Sequence, residues 1–387
     1  MSTYDSDVEF IFLGTGTSSS LPHVDCLTRP PGAKQCRTCL STRTPEGKKN
    51  CRRNTSGVVR MKGKDGQSVT IVIDVGKTFQ AASLEWFPKY GLRRIDAVLI
   101  THAHADAMNG LDDLRAWTLR SAIQPHVDLY VTQTTFKEVQ RSFPYLVSKA
   151  FATGGGDVPD FKWHIIEDKV PFEIEGTGIH VTPFAVHHGR LFAQAPVPGF
   201  VPTPEQLPEV DGQHPQPHPS NAHPSHDHPP PTGDPKSAKG DIQPLLCFGF
   251  RIGDAVLYIS DVSHIPDDVW PLLLAPPPAI LALDCLHIAP HTSHFGLEQA
   301  VAAARRIGAA RTYLLGFGHE VSHEEYVTIG EAAGGRRVED VSGLSAAERE
   351  GVAIVQKEGE PIWMRPAFDG LQVRIRGREQ VRDNGYD

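Results

Sequence analysis

Two histidines and an aspartate, His102, His104 and Asp106, stand at every second position of one short segment. The segment follows the apolar run 95–100, whose composition is typical of a buried strand. Side chains at alternate positions of an extended chain point to the same side, so the two imidazoles and the carboxylate can converge there. Nitrogen and oxygen ligands of this kind hold the metal ions of hydrolytic enzymes. We therefore predict a metal-binding loop; the alternative is a polar loop that happens to contain two histidines.

Three later apolar runs, which read as strands, also end in ionisable side chains. These are His187 and His188, then Asp261, then His319. Strand ends of a layered α/β protein meet at an edge where a cleft can form. A single histidine would carry little weight, but together and in this order these residues predict one shared metal site.

A second group of candidate ligands consists of Cys26, Cys36 and Cys39. The spacing of Cys36 and Cys39 is typical of zinc sites, and the polar loop around them has few apolar residues to hold its shape. The alternative is three unlinked thiols on a loop. Six cysteines in 387 residues are too few for a disulfide scaffold.

Hydrophobic periodicity predicts the elements that position these side chains. The predicted strands are 8–13, 57–60, 69–74, 95–101, 127–131, 179–186, 246–252, 256–260, 280–283 and 312–315. Two helices are predicted: one begins near residue 109, and the other spans 297–307.

Composition limits the class of protein. A net charge of −8 argues against a long nucleic acid as partner, although a patch with Lys48, Lys49, Arg52 and Arg53 could hold a phosphate. The sequence contains no apolar run long enough for a membrane helix, and the acidic N-terminus does not resemble a secretion signal. We expect a cytoplasmic protein. The sequence excludes neither entry to the nucleus nor a homodimer.

Residues 196–240 differ from the rest of the chain. They contain 13 of its 32 prolines, five histidines and almost no large apolar side chains. Such a segment buries too little apolar surface to offset the entropy of ordering. We predict one domain over residues 1–387, with a disordered Pro/His-rich insertion at 196–240.

The whole pattern resembles the metallo-β-lactamase superfamily, and most closely the branch of the phosphonate-pathway cyclic phosphodiesterase and its eukaryotic relatives. The residues that carry this resemblance are Gly14-Thr15-Gly16-Thr17, Asn54-Thr55-Ser56, Ile73-Asp74, Thr101 to Asp106, Gly110-Leu111-Asp112-Asp113, His188-Gly189, Ser260-Asp261, His294 and His319. The resemblance implies an α/β fold, a four-layer αββα sandwich of two mixed sheets flanked by helices.

The resemblance also implies the ligand sets. The first metal would take His102, His104, His188 and a bridging Asp261, and the second would take Asp106, Asp261 and His319. Ala107 stands where the superfamily usually has a further histidine, so the second site should be weaker, richer in oxygen and more tolerant of Mn²⁺ or another harder ion than of Zn²⁺. A one-metal enzyme or a decayed site are the alternatives.

Two further assignments come from the same resemblance. His323 would be the fourth ligand of a structural zinc ion with Cys26, Cys36 and Cys39. His294 would protonate the leaving oxygen, with His291 as its local competitor, while Asp106 would orient the nucleophile.

The expected function is hydrolysis of a small or cyclic phosphodiester by hydroxide held at Zn²⁺ or Mn²⁺. Two alternatives remain at this point: hydrolysis of a thioester, a lactone or an RNA 3′-end on the same fold, and a zinc-binding scaffold without catalysis.

Overall fold

A computed structural model describes residues 7–191, 243–338, 341–357 and 359–387. The predicted insertion, 196–240, lies outside the described residues. Chain contacts separate a main body, residues 1–189 and 245–387, from a small unit, residues 190–244. The site described below belongs to the main body. Within the described ranges, no helix combines the length and the apolar character that a membrane span requires.

The main body is built mostly from strands. In chain order they are β1 (Val8–Gly14), β2 (Ser56–Lys62), β3 (Ser68–Ile73), β4 (Ala97–Leu99), β5 (Val127–Thr132), β6 (Phe161–Ile166), β7 (Phe172–Ile174), β8 (Ile179–Arg190), β9 (Pro244–Ile252), β10 (Val256–Ile259), β11 (Ile280–Asp284), β12 (Arg311–Leu315), β13 (Met364–Pro366), β14 (Gln372–Ile375) and β15 (Val381–Asp383).

The helices are mostly short. They are α1 (Val24–Leu27), α2 (Arg37–Ser41), α3 (Phe79–Tyr90), α4 (Ala105–Met108), α5 (Arg115–Thr118), α6 (Gln133–Ser142), α7 (Pro144–Val147), α8 (Trp270–Leu274), α9 (Leu297–Ile307), α10 (His323–Ala333) and α11 (Ala346–Val355). Short 3₁₀ turns span Glu46–Asn50, Leu111–Leu114, Leu119–Ser121 and Lys149–Phe151.

The strands form two mixed sheets. The first has the order β15-β14-β1-β2-β3-β4-β5-β6, and the second has the order β13-β12-β11-β10-β9-β8-β7. Strands β3 to β6 run parallel to one another, as do β10 to β13, whereas β1, β2 and β14 pair antiparallel. The carboxyl ends of several neighbouring strands therefore reach the same edge, where the predicted ligands stand.

The side chains of β1 point alternately to the two faces of its sheet, and this alternation shows how the layers form. Phe10 and Phe12 pack between the two sheets, whereas Ile11 and Leu13 pack on the opposite face of the same sheet. Helix α3 covers that opposite face, and α9 and α10 cover the outer face of the second sheet. Since both faces of each sheet are buried, the central strands are apolar at nearly every position. The predicted four-layer αββα sandwich of two mixed sheets is confirmed.

The two predicted helices have different outcomes. Helix α9 has the predicted bounds, 297–307, and ends at Gly308 with φ +66°. The segment from residue 109 is not one helix, because α4 ends at Met108 and the residues after it form the 3₁₀ turn Leu111–Leu114 and the short helix α5. The break is at Gly110, whose N–H donates to the carbonyl of Val75 at 2.8 Å. A side chain there would stand 2.4 Å from the carbonyl oxygen of Gly76, so the backbones of these two loops touch.

Candidate metal centre

The imidazoles of His102, His104 and His188 converge at the edge of the sandwich. One nitrogen of each lies within 4.8 Å of the others, and Nε2 of His188 is 3.3 Å from Nδ1 of His104. Two nitrogens that bind one zinc ion tetrahedrally at 2.0–2.1 Å stand about 3.3 Å apart. The spacing therefore fits ligands of a single ion.

Asp261 supplies a carboxylate at the same point. It follows β10, and its Oδ2 lies 3.5 Å from Nε2 of His102 and 3.5 Å from Nε2 of His188. Three imidazoles and one carboxylate form a four-ligand set suited to a divalent transition metal. We call His102, His104, His188 and Asp261 the histidine centre.

The orientation of His102 is fixed by a chain of hydrogen bonds behind it. Asp74, with φ +61°, accepts from the backbone N–H of Thr101 at 2.8 Å and from the Thr101 hydroxyl at 2.8 Å. The hydroxyl proton is thereby used, so Thr101 Oγ1 accepts from Nδ1 of His102 at 2.8 Å. The proton of His102 consequently sits on Nδ1, and the lone pair of Nε2 points toward the other ligands.

His188 is oriented by a backbone carbonyl. Its Nδ1 donates to the carbonyl oxygen of Ser293 at 2.8 Å, which leaves a lone pair on Nε2. Gly189 has φ +73°, and a Cβ there would stand 3.0 Å from Cβ of Ser293, so glycine allows this approach. The structure brings His188 to the centre and not His187. The backbone N–H of His187 donates to the backbone carbonyl of His264 at 2.9 Å.

The protonation state of His102 fits a metal ion. The residue is 4 % exposed, and its Nε2 has no hydrogen-bond partner among the described residues. Burial lowers the pKa of His102 to about 3, although Asp261 opposes this shift. A buried lone pair without a donor is costly, and a bound cation would remove that cost.

His294 adjoins the histidine centre and has its own carboxylate. Its ring centroid is 4.7 Å from that of His188, and its Nδ1 lies 2.9 Å from Oδ2 of the fully buried Asp284. Burial opposes protonation, yet Asp284 outweighs it and, with Asp261, raises the pKa of His294 to about 9. His294 can thus present a proton on Nε2. The competitor His291 lies beside Ser293, whose backbone N–H donates to its Nδ1 at 3.3 Å.

The second metal site expected from the sequence is not assembled in the part of the chain that the structure describes. Asp106 accepts from the hydroxyl of Ser18 at 2.6 Å, and its buried Oδ1 has no hydrogen-bond partner among the described residues. No group of three candidate ligands among the described residues includes Asp106. Ala107 is buried and supplies no ligand. His319, the predicted nitrogen ligand of this site, lies elsewhere.

His319 lies beside the three cysteines, which corrects its predicted place. Its Nδ1 is 3.2 Å from Sγ of Cys26, 3.7 Å from Sγ of Cys36 and 3.6 Å from Sγ of Cys39. With zinc–sulfur bonds of 2.3 Å and a zinc–nitrogen bond of 2.1 Å, tetrahedral ligands stand about 3.6 Å apart. We call these four residues the cysteine cluster. Burial raises the pKa of Cys39 to about 12, so thiolates here require a compensating cation.

The structure does not place His323 beside the three cysteines, where the sequence predicted it as the fourth ligand. It is the first residue of α10, is 3 % exposed, and places Nε2 3.2 Å from the hydroxyl of Tyr386. Ser322 caps this helix, and the backbone N–H of His323 donates to Oδ1 of Asn50 at 2.7 Å. The loop before it is held toward the cysteines by Arg52, whose guanidinium donates to the carbonyls of Gly318 and Val321.

Sequence reasoning assigned no orienting role to the residues that hold the ligands in place. Asp284 at the end of β11 and Thr101 after β4 stand at strand ends, which is the signal that could have found them. The Ser293 carbonyl has no sequence signal, because any residue supplies a carbonyl.

Comparison with known proteins gives a family match. The family model described as the β-lactamase superfamily domain matches residues 70–203 and 220–317. These ranges include all four residues of the histidine centre and His294, and they end before His319.

Individual proteins show the same relationship. An octanoyltransferase of Porphyromonas gingivalis is 30% identical over 184 residues, which are 47% of this chain and 31% of that protein, so the match spans about a third of the curated relative. A solved diphosphatase from the PhnP family is 22% identical with a TM-score of 0.58, covering 95% of this chain and 97% of its own. Zn²⁺-bound PqqB from Methylobacterium extorquens is 15% identical with a TM-score of 0.55, covering 94% and 99%.

Proposed function

The chain belongs to the metallo-β-lactamase superfamily of hydrolases, and from this we propose that it cleaves small or cyclic phosphodiesters with a bound divalent ion. One observation carries the proposal: the His294–Asp284 pair lies against the histidine centre. Departure of an alkoxide from phosphorus needs a proton donor, and a carboxylate-paired imidazole is such a donor.

The residues present fit one nitrogen-rich metal site. His102, His104, His188 and Asp261 would hold the ion, and this ligand set favours Zn²⁺ over Mn²⁺. When bound, such an ion supplies Lewis acidity, which lowers the pKa of water and neutralises charge on phosphoryl oxygens. His294 would hold the proton on Nε2 for the leaving oxygen, while Asp284 keeps the ring in place through Nδ1. Asp106, steadied by Ser18, would orient water at the same edge.

A small substrate agrees with the charge of the chain. The net charge of −8 gives no field that attracts a long nucleic acid. The solved diphosphatase with the same fold acts on phosphorus, which also favours a phosphorus ester over a thioester or a lactone.

The proposal predicts how His294→Gln affects two kinds of diester. We expect kcat to fall about 10²- to 10⁴-fold on a cyclic alkyl phosphodiester, whose leaving group needs the proton. On bis(p-nitrophenyl) phosphate the loss should be much smaller, because nitrophenolate leaves without help. Steady-state assays of both substrates, together with zinc content, measure this.

His291→Gln is the matched control, since its ring centroid lies 5.6 Å from that of His294 without a carboxylate partner among the described residues. It should keep wild-type rates on both diesters. Turnover of a glutathione thioester but of neither diester would refute the proposal, as would full metal loading with no turnover at all.

A further inference from the structure

A cavity of about 530 Å³ lies apart from the metal ligands. Its walls come from the 3₁₀ turn Glu46–Asn50, the last turn of α3 and the loop after β13. The residues that matter are Lys48, Lys49, Arg53, Trp86, Lys89 and Phe368, and we call this the lysine cavity. None of its lining residues belongs to the histidine centre or the cysteine cluster.

The lysine cavity is positive in a chain that is negative overall. Among the described residues, no carboxylate lies within 4.0 Å of the ammonium groups of Lys48, Lys49 and Lys89. The two acids in the wall face Arg53: Glu85 at 2.6 Å and Asp369 at 3.9 Å. Three lysines thus keep uncompensated charge around one concave space, which favours a polyanion.

Aromatic rings hold two of these lysines in place. Nζ of Lys49 is 4.5 Å from the ring centroid of Phe368, and Nζ of Lys89 is 4.7 Å from that of Trp86. Cation–π contacts restrict long side chains, so less entropy is lost when an anion binds. Trp86 is 8 % exposed, and its indole N–H has no acceptor among the described residues.

We propose that the lysine cavity is a second, non-catalytic binding site for a small molecule that carries two or more phosphoryl groups. Lysine ammonium groups bind phosphates as point charges, and the volume lies within the range of small-ligand pockets. A nucleoside triphosphate and an inorganic polyphosphate share this chemistry, and the aromatic wall would favour the nucleotide.

The wall of the lysine cavity continues directly into the loops of the histidine centre. The N–H of Arg53 donates to Asp369 at 2.9 Å, and the next residue, Asn54, donates to the carbonyl of Ser18 at 3.3 Å. Ser18 in turn holds Asp106. The site is therefore separate from the hydrolytic edge but shares a segment with it.

Titration calorimetry on the zinc-loaded protein tests the proposal, with inorganic triphosphate and ATP as separate probes in excess Mg²⁺. We expect one binding event per chain, with an affinity that falls as the salt concentration rises. The affinity for ATP should equal or exceed that for inorganic triphosphate. The double variant K49E/K89E should weaken binding of both probes at least tenfold. The control K62E/K137E changes the charge equally at exposed lysines outside the cavity and should bind within twofold of wild type.

The variant His104→Ala separates this site from the histidine centre, since it removes a metal ligand and should leave triphosphate binding unchanged. Lys48→Met, which reverses no charge, should weaken triphosphate binding severalfold. It provides the test if K49E/K89E fails to fold. Absence of binding at millimolar triphosphate would overturn the proposal. Wild-type affinity in the folded lysine variants, or loss of binding in His104→Ala, would overturn it as well.

Discussion

The hydroxyl of Thr101 joins His102 to Asp74, and its removal should weaken metal binding. Thr101→Val keeps the β-branched shape but leaves Nδ1 of His102 without an acceptor. Loss of such an outer hydrogen bond typically costs 10- to 100-fold in metal affinity. We expect a loss of about that size for the histidine centre, measured by competition with a chromogenic chelator.

Thr118→Val is the control, because Thr118 is also buried and its hydroxyl accepts from the N–H of Asp160 at 3.1 Å. Each variant should lose about 1–3 kcal/mol of unfolding free energy through an unpaired polar group. Only Thr101→Val should lose metal affinity. Equal affinities in the two variants would contradict the role given to Thr101.

At the residue scale, the ligands of the histidine centre could be predicted from the sequence, because they lie at the ends of apolar strands. His102, His104 and Asp261 follow apolar strands and His188 lies near the end of β8, and the structure brings all four together. The fourth neighbour of the cysteines could not be predicted in the same way, since two histidines stand four residues apart after β12. The choice between them depends on a helix cap and on a buried arginine, which are tertiary contacts.

At the scale of elements, the loop between β1 and β2 depends on the cysteine cluster for its shape. Helices α1 and α2 in this loop are only four and five residues long, too short to be stable by themselves. His319→Ala removes the nitrogen ligand that connects the loop to the end of β12. We expect this variant to lose about one zinc equivalent per chain and to expose its thiols to Ellman's reagent.

His323→Ala is the comparison that separates the two histidines. It should keep its zinc and lose about 1–3 kcal/mol of stability, because it removes a buried ring and its contact with Tyr386. Elemental analysis of both variants decides the matter. Zinc loss in His323→Ala with full zinc in His319→Ala would return the assignment to the one expected from the sequence.

Periodicity located long elements better than broken ones. Helix α9 has apolar residues at helical spacing and a terminal glycine, and its bounds were predicted. Leu111, Leu114 and Trp117 have the same spacing, yet Gly110 touches the backbone of the loop after β3 and interrupts the helix. That contact joins residues distant in the chain, so local patterns carry no sign of it.

At the scale of the whole molecule, the sandwich explains why apolar runs were a reliable guide. Strands such as β11 bury Ile280 and Ala282 between the sheets and Leu281 and Leu283 under helices, so no polar position interrupts them. The order of strands in each sheet was not available from these runs, since it depends on pairings between distant segments such as β1 with β14.

Two metal sites that share no ligand should stabilise the fold independently. Each bound ion adds RT ln(1 + [M]/Kd) to the unfolding free energy, about 2.7 kcal/mol at a hundredfold excess over Kd. We expect chelation to lower the Tm of the wild type most, to lower that of His104→Ala and of His319→Ala less, and to leave the double variant unchanged. Because the sites have no ligand in common, the two single-variant effects should add to the wild-type effect. Calorimetric scans with and without chelator measure these changes in Tm. If chelator still lowers the Tm of the double variant, a third metal site is required. If chelator leaves the Tm of His104→Ala unchanged, the cysteine cluster holds no ion.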